Sequence, residues 1–105
     1  MEMVIDFKGV DTADKMHTKL KHAFGFPDFY GANIHALMDC LGDIRYPEYG
    51  MSEVTIGENE VLNLTIKNFP YENDIIINIF FLAIKYVNAK SIRNEESPSI
   101  HLILI

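Results

Sequence analysis

The sequence predicts an α/β fold: a small parallel sheet covered by helices, with an added β-hairpin around residues 54–66. Three observations predict it. Strand-like and helix-like stretches follow one another in the order β-α-α-β-β-α-β. The last stretch, Ser99 to Ile105, is apolar at both alternating sets of positions, as in a strand buried on two sides at the centre of a parallel sheet. Val54-Thr55-Ile56 and Val61 to Ile66 flank the turn-rich Gly57-Glu58-Asn59-Glu60 as two strands flank a hairpin loop. A chain of 105 residues is one domain, residues 1–105, with room for a single core.

Each element has a local reason. Met3, Ile5 and Phe7 alternate with Val4 and Asp6, which makes residues 2–8 a strand. Asp11 or Thr12 caps the first helix, and Asp14 in its first turn suits the dipole. Met16, Leu20, Ala23 and Phe24 recur at helical spacing until Gly25 and Pro27 end the run. A second helix extends from about Asn33 to Leu41, with Asn33 as cap and Gly31 free to take positive φ before it. Leu62, Leu64 and Ile66 share one strand face. Residues 73–91 form a long apolar helix capped by Asn73 or Asp74, and residues 94–98 a polar loop. Phe80, Phe81 and Leu82 in succession cannot all face the sheet.

Composition narrows the function. The chain is 49% apolar and 23% charged, which is globular and not disordered. Cys40 is the single cysteine, so no internal disulfide forms and a reducing compartment suffices. The first apolar residues alternate with Glu2, Asp6 and Lys8, unlike a secretory leader. The longest apolar run, Ile75 to Ile84, is interrupted by Asn78 and is too short to cross a bilayer. These features lead us to expect a soluble, cytoplasmic protein.

Charge is concentrated. The net charge is −6. Residues 1–23 and 61–105 each balance four acids with four bases, whereas residues 24–60 hold seven acids against Arg45 alone. A patch of this sign repels nucleic acid and speeds encounter with a basic partner. Acids also keep a small domain soluble, and composition alone does not separate the two roles.

Catalytic and metal chemistry find little support. His17, His22 and His101 are scattered without metal spacing, and Gly50 and Gly57 mark turns and not a phosphate loop. Cys40 points away from His35 around the helix, so no nucleophile–base dyad forms, and Cys40 reads as a half-buried apolar residue. No cofactor and no metal are expected. At about 100° per residue, Ile34, Leu37 and Leu41 fall on a core-facing arc of the second helix. Ala32, His35, Ala36 and Asp39 fall on the opposite, solvent-facing side, with Met38 at the margin. Small residues let another protein approach closely, so the Asp39 carboxylate is able to reach into a concave partner.

The runs Leu20-Lys21, Phe26-Pro27-Asp28-Phe29-Tyr30-Gly31-Ala32-Asn33 and Ala36-Leu37-Met38-Asp39-Cys40-Leu41 resemble the signature of the barstar family. The likeness extends more loosely from the first strand to Tyr46-Pro47 and returns at the last strand, while residues 48–72 match poorly. The resemblance implies a barstar-like fold and an intracellular, non-enzymatic inhibitor that plugs the basic active site of a ribonuclease. It implies that loop 26–33 and helix 33–41 enter the cleft, with Asp39 in the place of a substrate phosphate. Phe29, Gly31, Asn33, His35 and Met38 match other contact positions of the family, and Asp43 completes the expected partner-binding set. The implied partner is a cognate basic ribonuclease, barnase-like or a secreted competition toxin. Neither direct nucleic-acid nor membrane contact is implied, and the free chain is expected to be a monomer or weak dimer.

Four departures from the family pattern bear on the target. His35 stands where the family often has an acid, Met38 where it often has tryptophan, and Phe29 where tyrosine is common. The late helix holds no acid between Asp74 and Glu95. The altered His35 and Met38 would also suit a regulatory protein-binding module of the same fold with a non-nuclease partner. A blander role remains for Asp39 itself, an i,i+4 link to His35 worth about 0.2–0.5 kcal/mol.

Overall fold

The computed structural model describes residues 1–105. The elements are β1 (Glu2–Asp6), α1 (Ala13–Phe24), α2 (Ile34–Gly42), a 3₁₀ turn (Pro47–Tyr49), β2 (Leu62–Lys67), α3 (Asp74–Arg93) and β3 (Ile100–Leu104). The strands form one parallel sheet in the order β1-β2-β3. Parallel neighbours cannot be joined by a tight turn. Here α1 and α2 provide the first crossover and α3 the second.

Register decides where the core lies. Met3, Leu64 and Leu102 share one row, and Ile5, Ile66 and Leu104 the next. This face is covered by Met16, Leu20 and Phe24 of α1, Leu37 and Leu41 of α2, and Ile76, Phe80 and Val87 of α3, all buried. The opposite face carries Glu2, Val4 and Asp6 with Asn63, Thr65 and Lys67, half-buried or exposed. The sheet is thus covered by helices on one side.

Helix ends follow the expected chemistry. Thr12 Oγ1 accepts the Lys15 N–H at 3.2 Å, Asn33 Oδ1 the Ala36 N–H at 2.8 Å, and Asn73 Oδ1 the Ile76 N–H at 3.1 Å. Gly25 ends α1 in the left-handed region at φ 71°. On α3, Phe80 is buried, Phe81 half-buried and Leu82 exposed. That helix spans 20 residues, longer than its apolar run, and by length and composition alone it could cross a membrane. In this fold its inner face completes the core.

The structure corrects three expectations. The hairpin around residues 54–66 does not form, because both flanks of β2 are taken by β1 and β3, leaving no edge for residues 54–56. That segment instead turns back on the helices: the Val54 N–H donates to Phe24 O at 3.1 Å and the Ile56 N–H to Ile44 O at 2.9 Å. The final strand is an edge, not the centre, and the fully buried row of Leu62, Leu64 and Ile66 belongs to β2. Ala32, and not Gly31, takes positive φ before α2. No peptide bond is cis, so Tyr46–Pro47 is trans.

Candidate functional site

The loop between α1 and α2 is built outward from Gly25. Gly25 and Phe26 both donate their N–H groups to Lys21 O, at 2.9 and 3.0 Å, turning the chain off the helix. A Cβ on Gly25 would lie 2.6 Å from Glu53 Cβ, so only glycine fits. The segment that presses there is bonded to the helix end: the Glu53 N–H and the Ser52 hydroxyl each donate to Phe24 O at 3.0 Å. An acid of residues 48–60 is thereby fixed at the base of the loop.

Alternate rings then point in and out. Phe26 is buried, with its ring centroid 5.4 Å from Phe24 and 4.9 Å from Tyr30. The Tyr30 hydroxyl lies 2.6 Å from His17 Nδ1 on α1. Phe29 between them is 75% exposed. Tyr30 is the anchor and Phe29 the free ring.

His17 is only 3% exposed, and burial holds its pKa below the ordinary 6.5 despite the opposing pull of Asp14. The folded state therefore prefers the neutral ring. Stability from this anchor is fully present above pH 6.5 and is lost as pH falls below it toward the folded value, where only the unfolded chain binds the proton readily. Thermal melts between pH 7.5 and 5.5 should show a fall in melting temperature that the His17→Gln variant lacks.

Gly31 and Ala32 complete the turn into α2. A Cβ on Gly31 would come within 3.2 Å of Asn33 Nδ2, which donates to Gly31 O at 3.4 Å. Ala32 sits at φ 51°, a conformation that costs a residue with a Cβ about 1 kcal/mol. Ala32→Gly relieves that strain but adds freedom to the unfolded chain. The net gain expected in a denaturant titration is about 0.5 kcal/mol.

On α2 the exposed side carries His35 and Asp39, with Leu37, Cys40 and Leu41 buried behind them. No hydrogen bond or ion pair engages the Asp39 carboxylate, and the i,i+4 link to His35 is not formed. Met38 is half-buried and packs against the core. Cys40 is 1% exposed, more buried than expected, and burial together with Asp39 and Asp43 pushes its thiol up to about 11. Asp43 caps the end of α2, 3.8 Å from Lys90 Nζ of α3. Burial raises its carboxyl pKa; Lys90 opposes this, and Asp39 and Glu48 add to it.

Of the seven residues marked by the sequence, Phe29, Gly31, Asn33, His35 and Asp39 are exposed along one loop and helix face. Met38 and Asp43 are half-withdrawn, the first toward the core and the second toward Lys90. Two supports escaped the reading. His17 falls in the stripe His17, Leu20, Phe24 at i, i+3 and i+7, which is the signal that it faces inward. Arg45, the one base of residues 24–60, is only 8% exposed. Its Nη1 donates to Ser97 O at 2.6 Å, and Nη2 to Glu60 O at 2.8 Å and Pro98 O at 3.2 Å. All its acceptors are main-chain carbonyls, so it forms no ion pair with the acids around it.

The site is therefore an exposed, negatively charged loop and helix face on which the carboxylates of Asp28 and Asp39 have no partner in the fold and Phe29 is a free aromatic ring. The profile of the family described as Barstar (barnase inhibitor) matches residues 1–95. The chain belongs to the barstar family. The match includes residues 48–72, which the visible motifs left out, and stops short of β3. A Bacillus subtilis (strain 168) protein named "Putative ribonuclease inhibitor YrdF" is 32% identical over 76 residues, 71% of this chain and 68% of that protein. The three-stranded parallel sheet with three principal helices agrees with the barstar fold.

Proposed function

We propose that this barstar-family chain is an intracellular, non-enzymatic inhibitor that blocks the basic active site of a cognate ribonuclease, a secreted competition toxin among the candidates. Loop 26–33 and α2 enter the cleft, and Asp39 takes the position of a substrate phosphate. The observation that carries this reading is the free carboxylate of Asp39 on a braced helix face inside the acidic segment. A ribonuclease gathers cations to stabilise a phosphoryl transition state, and a carboxylate presented without a partner of its own meets them at little cost in broken bonds. The protein acts in the cytoplasm without binding nucleic acid or membrane.

Affinity purification of the tagged chain tests the proposal: a basic ribonuclease should co-purify in a salt-sensitive complex and lose activity when bound. Within that complex, Glu53→Gln and Glu58→Gln are expected to lower the association rate and flatten its salt dependence, leaving dissociation nearly unchanged. Stopped-flow association at graded ionic strength reads this directly. His35 and Met38, which depart from the family pattern, favour as second reading a regulatory binding module with a non-nuclease partner. Capture of a single partner that has no ribonuclease activity would decide for it.

A further inference from the structure

The two edges of the sheet are finished differently. At β3 the Asn88 side chain of α3 takes both outward backbone groups of Ile100, donating from Nδ2 to its carbonyl at 2.8 Å and accepting its N–H at 2.9 Å. One amide acts as a rung of a fourth strand. At β1 nothing corresponds. The Asn63 N–H bonds to Met1 O and the Phe7 N–H to Lys67 O, so the odd-numbered residues face β2. Alternation turns the N–H and C=O groups of Glu2, Val4 and Asp6 outward, and Val4 is 59% exposed. Folded proteins usually blunt such an edge, because it templates further pairing.

This bare edge is one wall of an open groove of about 680 Å³, and the flank of α1 is the other. Its bases Lys8, Lys15 and Lys19 outnumber its acids Asp6 and Asp14. Asp6 is already engaged by Asn68 Nδ2 at 2.8 Å and the Lys8 N–H at 2.9 Å, and Lys15 by Asp11 at 2.9 Å. Lys8 and Lys19 have no carboxylate partner.

We propose that the β1 edge is a second docking site, which takes an extended acidic segment of a partner protein as a fourth strand. Main-chain bonds to Glu2, Val4 and Asp6 hold the segment, and Lys8 and Lys19 select its acidic side chains. No residue of loop 26–33 or α2 lines the groove, so the site is independent of the ribonuclease reading.

Fluorescence anisotropy at low salt with a short labelled peptide alternating glutamate and valine, and its lysine counterpart, tests this on the full chain. The acidic peptide should bind at least about tenfold more tightly than the basic one. Val4→Pro removes only an outward N–H and should abolish binding while the melting temperature holds. The double variant Lys8→Glu/Lys19→Glu, which leaves the backbone untouched, should weaken binding by a similar factor. Equal binding of the two peptides, no binding of either, or indifference to the lysine reversals would overturn the proposal. A dimer in sedimentation that Val4→Pro dissolves would assign the edge to a second copy instead.

Discussion

Asp39→Ala is expected to weaken the complex with the cognate ribonuclease by about 3 kcal/mol or more, chiefly through faster dissociation. The magnitude follows from what remains behind. A catalytic guanidinium or imidazolium covered by the inhibitor has lost its water, and without the carboxylate it is a buried, uncompensated charge. The free protein should hardly notice the change, since Asp39 is exposed and bonded to nothing in the fold. Melting temperature and far-ultraviolet dichroism should therefore match the parent. Glu53→Gln and Glu58→Gln set the contrast, because charges at the rim act on encounter and not on residence. Dissociation rates measured by surface plasmon resonance for the three variants should separate Asp39 clearly from the other two.

Arg45→Ala should destabilise the fold by about 3 kcal/mol in a urea titration, because its guanidinium is buried and bonded to three main-chain carbonyls. The guanidinium joins three places distant in sequence: the end of α2, Glu60 before β2, and residues 97–98 before β3. Truncation leaves the carbonyls of Ser97, Glu60 and Pro98 without that donor and opens a space where a nearly buried side chain stood. Arg45→Lys should recover only part of the loss, because an ammonium cannot span acceptors arranged for a planar fork. The consequence reaches the docking surface. With Arg45 drawn inside, none of the seven acids of residues 24–60 is neutralised by a base from its own segment.

The helices were legible because their signals are local. Thr12, Asn33 and Asn73 announce the starts of α1, α2 and α3, Gly25 the end of α1, and the spacing of Leu37 and Leu41 the inner face of α2. Ile34, expected beside them, is only half-buried in the first turn, and Cys40 takes the third inner place. The exposed face with His35 and Asp39 follows from the same periodicity. Sheet order was not legible, because it depends on which strands find partners. Ser99 to Ile105 is apolar at nearly every position yet lies at an edge, while Leu62 to Lys67, half of it polar, holds the centre between two neighbours. The hairpin failed for the same reason. Val54 and Ile56 look like strand residues, but their amides are taken by Phe24 O and Ile44 O.

Within the candidate site, the sequence favours Tyr30 as the core ring and Phe29 as the contact, without showing what holds Tyr30 in place. The structure supplies that hold in His17, whose contact with Tyr30 joins α1 to the loop across thirteen residues. Such tertiary partners leave no pattern in a single sequence beyond the helical stripe that turns His17 inward. Asp43 shows the converse: its position on the chain resembles that of Asp39, yet Lys90 of α3 pairs with it and Asp39 has no such neighbour.

A crystal structure of the chain with its co-purified ribonuclease tests most directly whether one carboxylate replaces the substrate phosphate. The account predicts Asp39 oxygens within about 3 Å of an arginine or histidine of the nuclease, shielded from water, with Phe29 against the cleft wall. An Asp39 side chain left in solvent at the complex boundary, with the active-site cations filled by another residue or open, would contradict it.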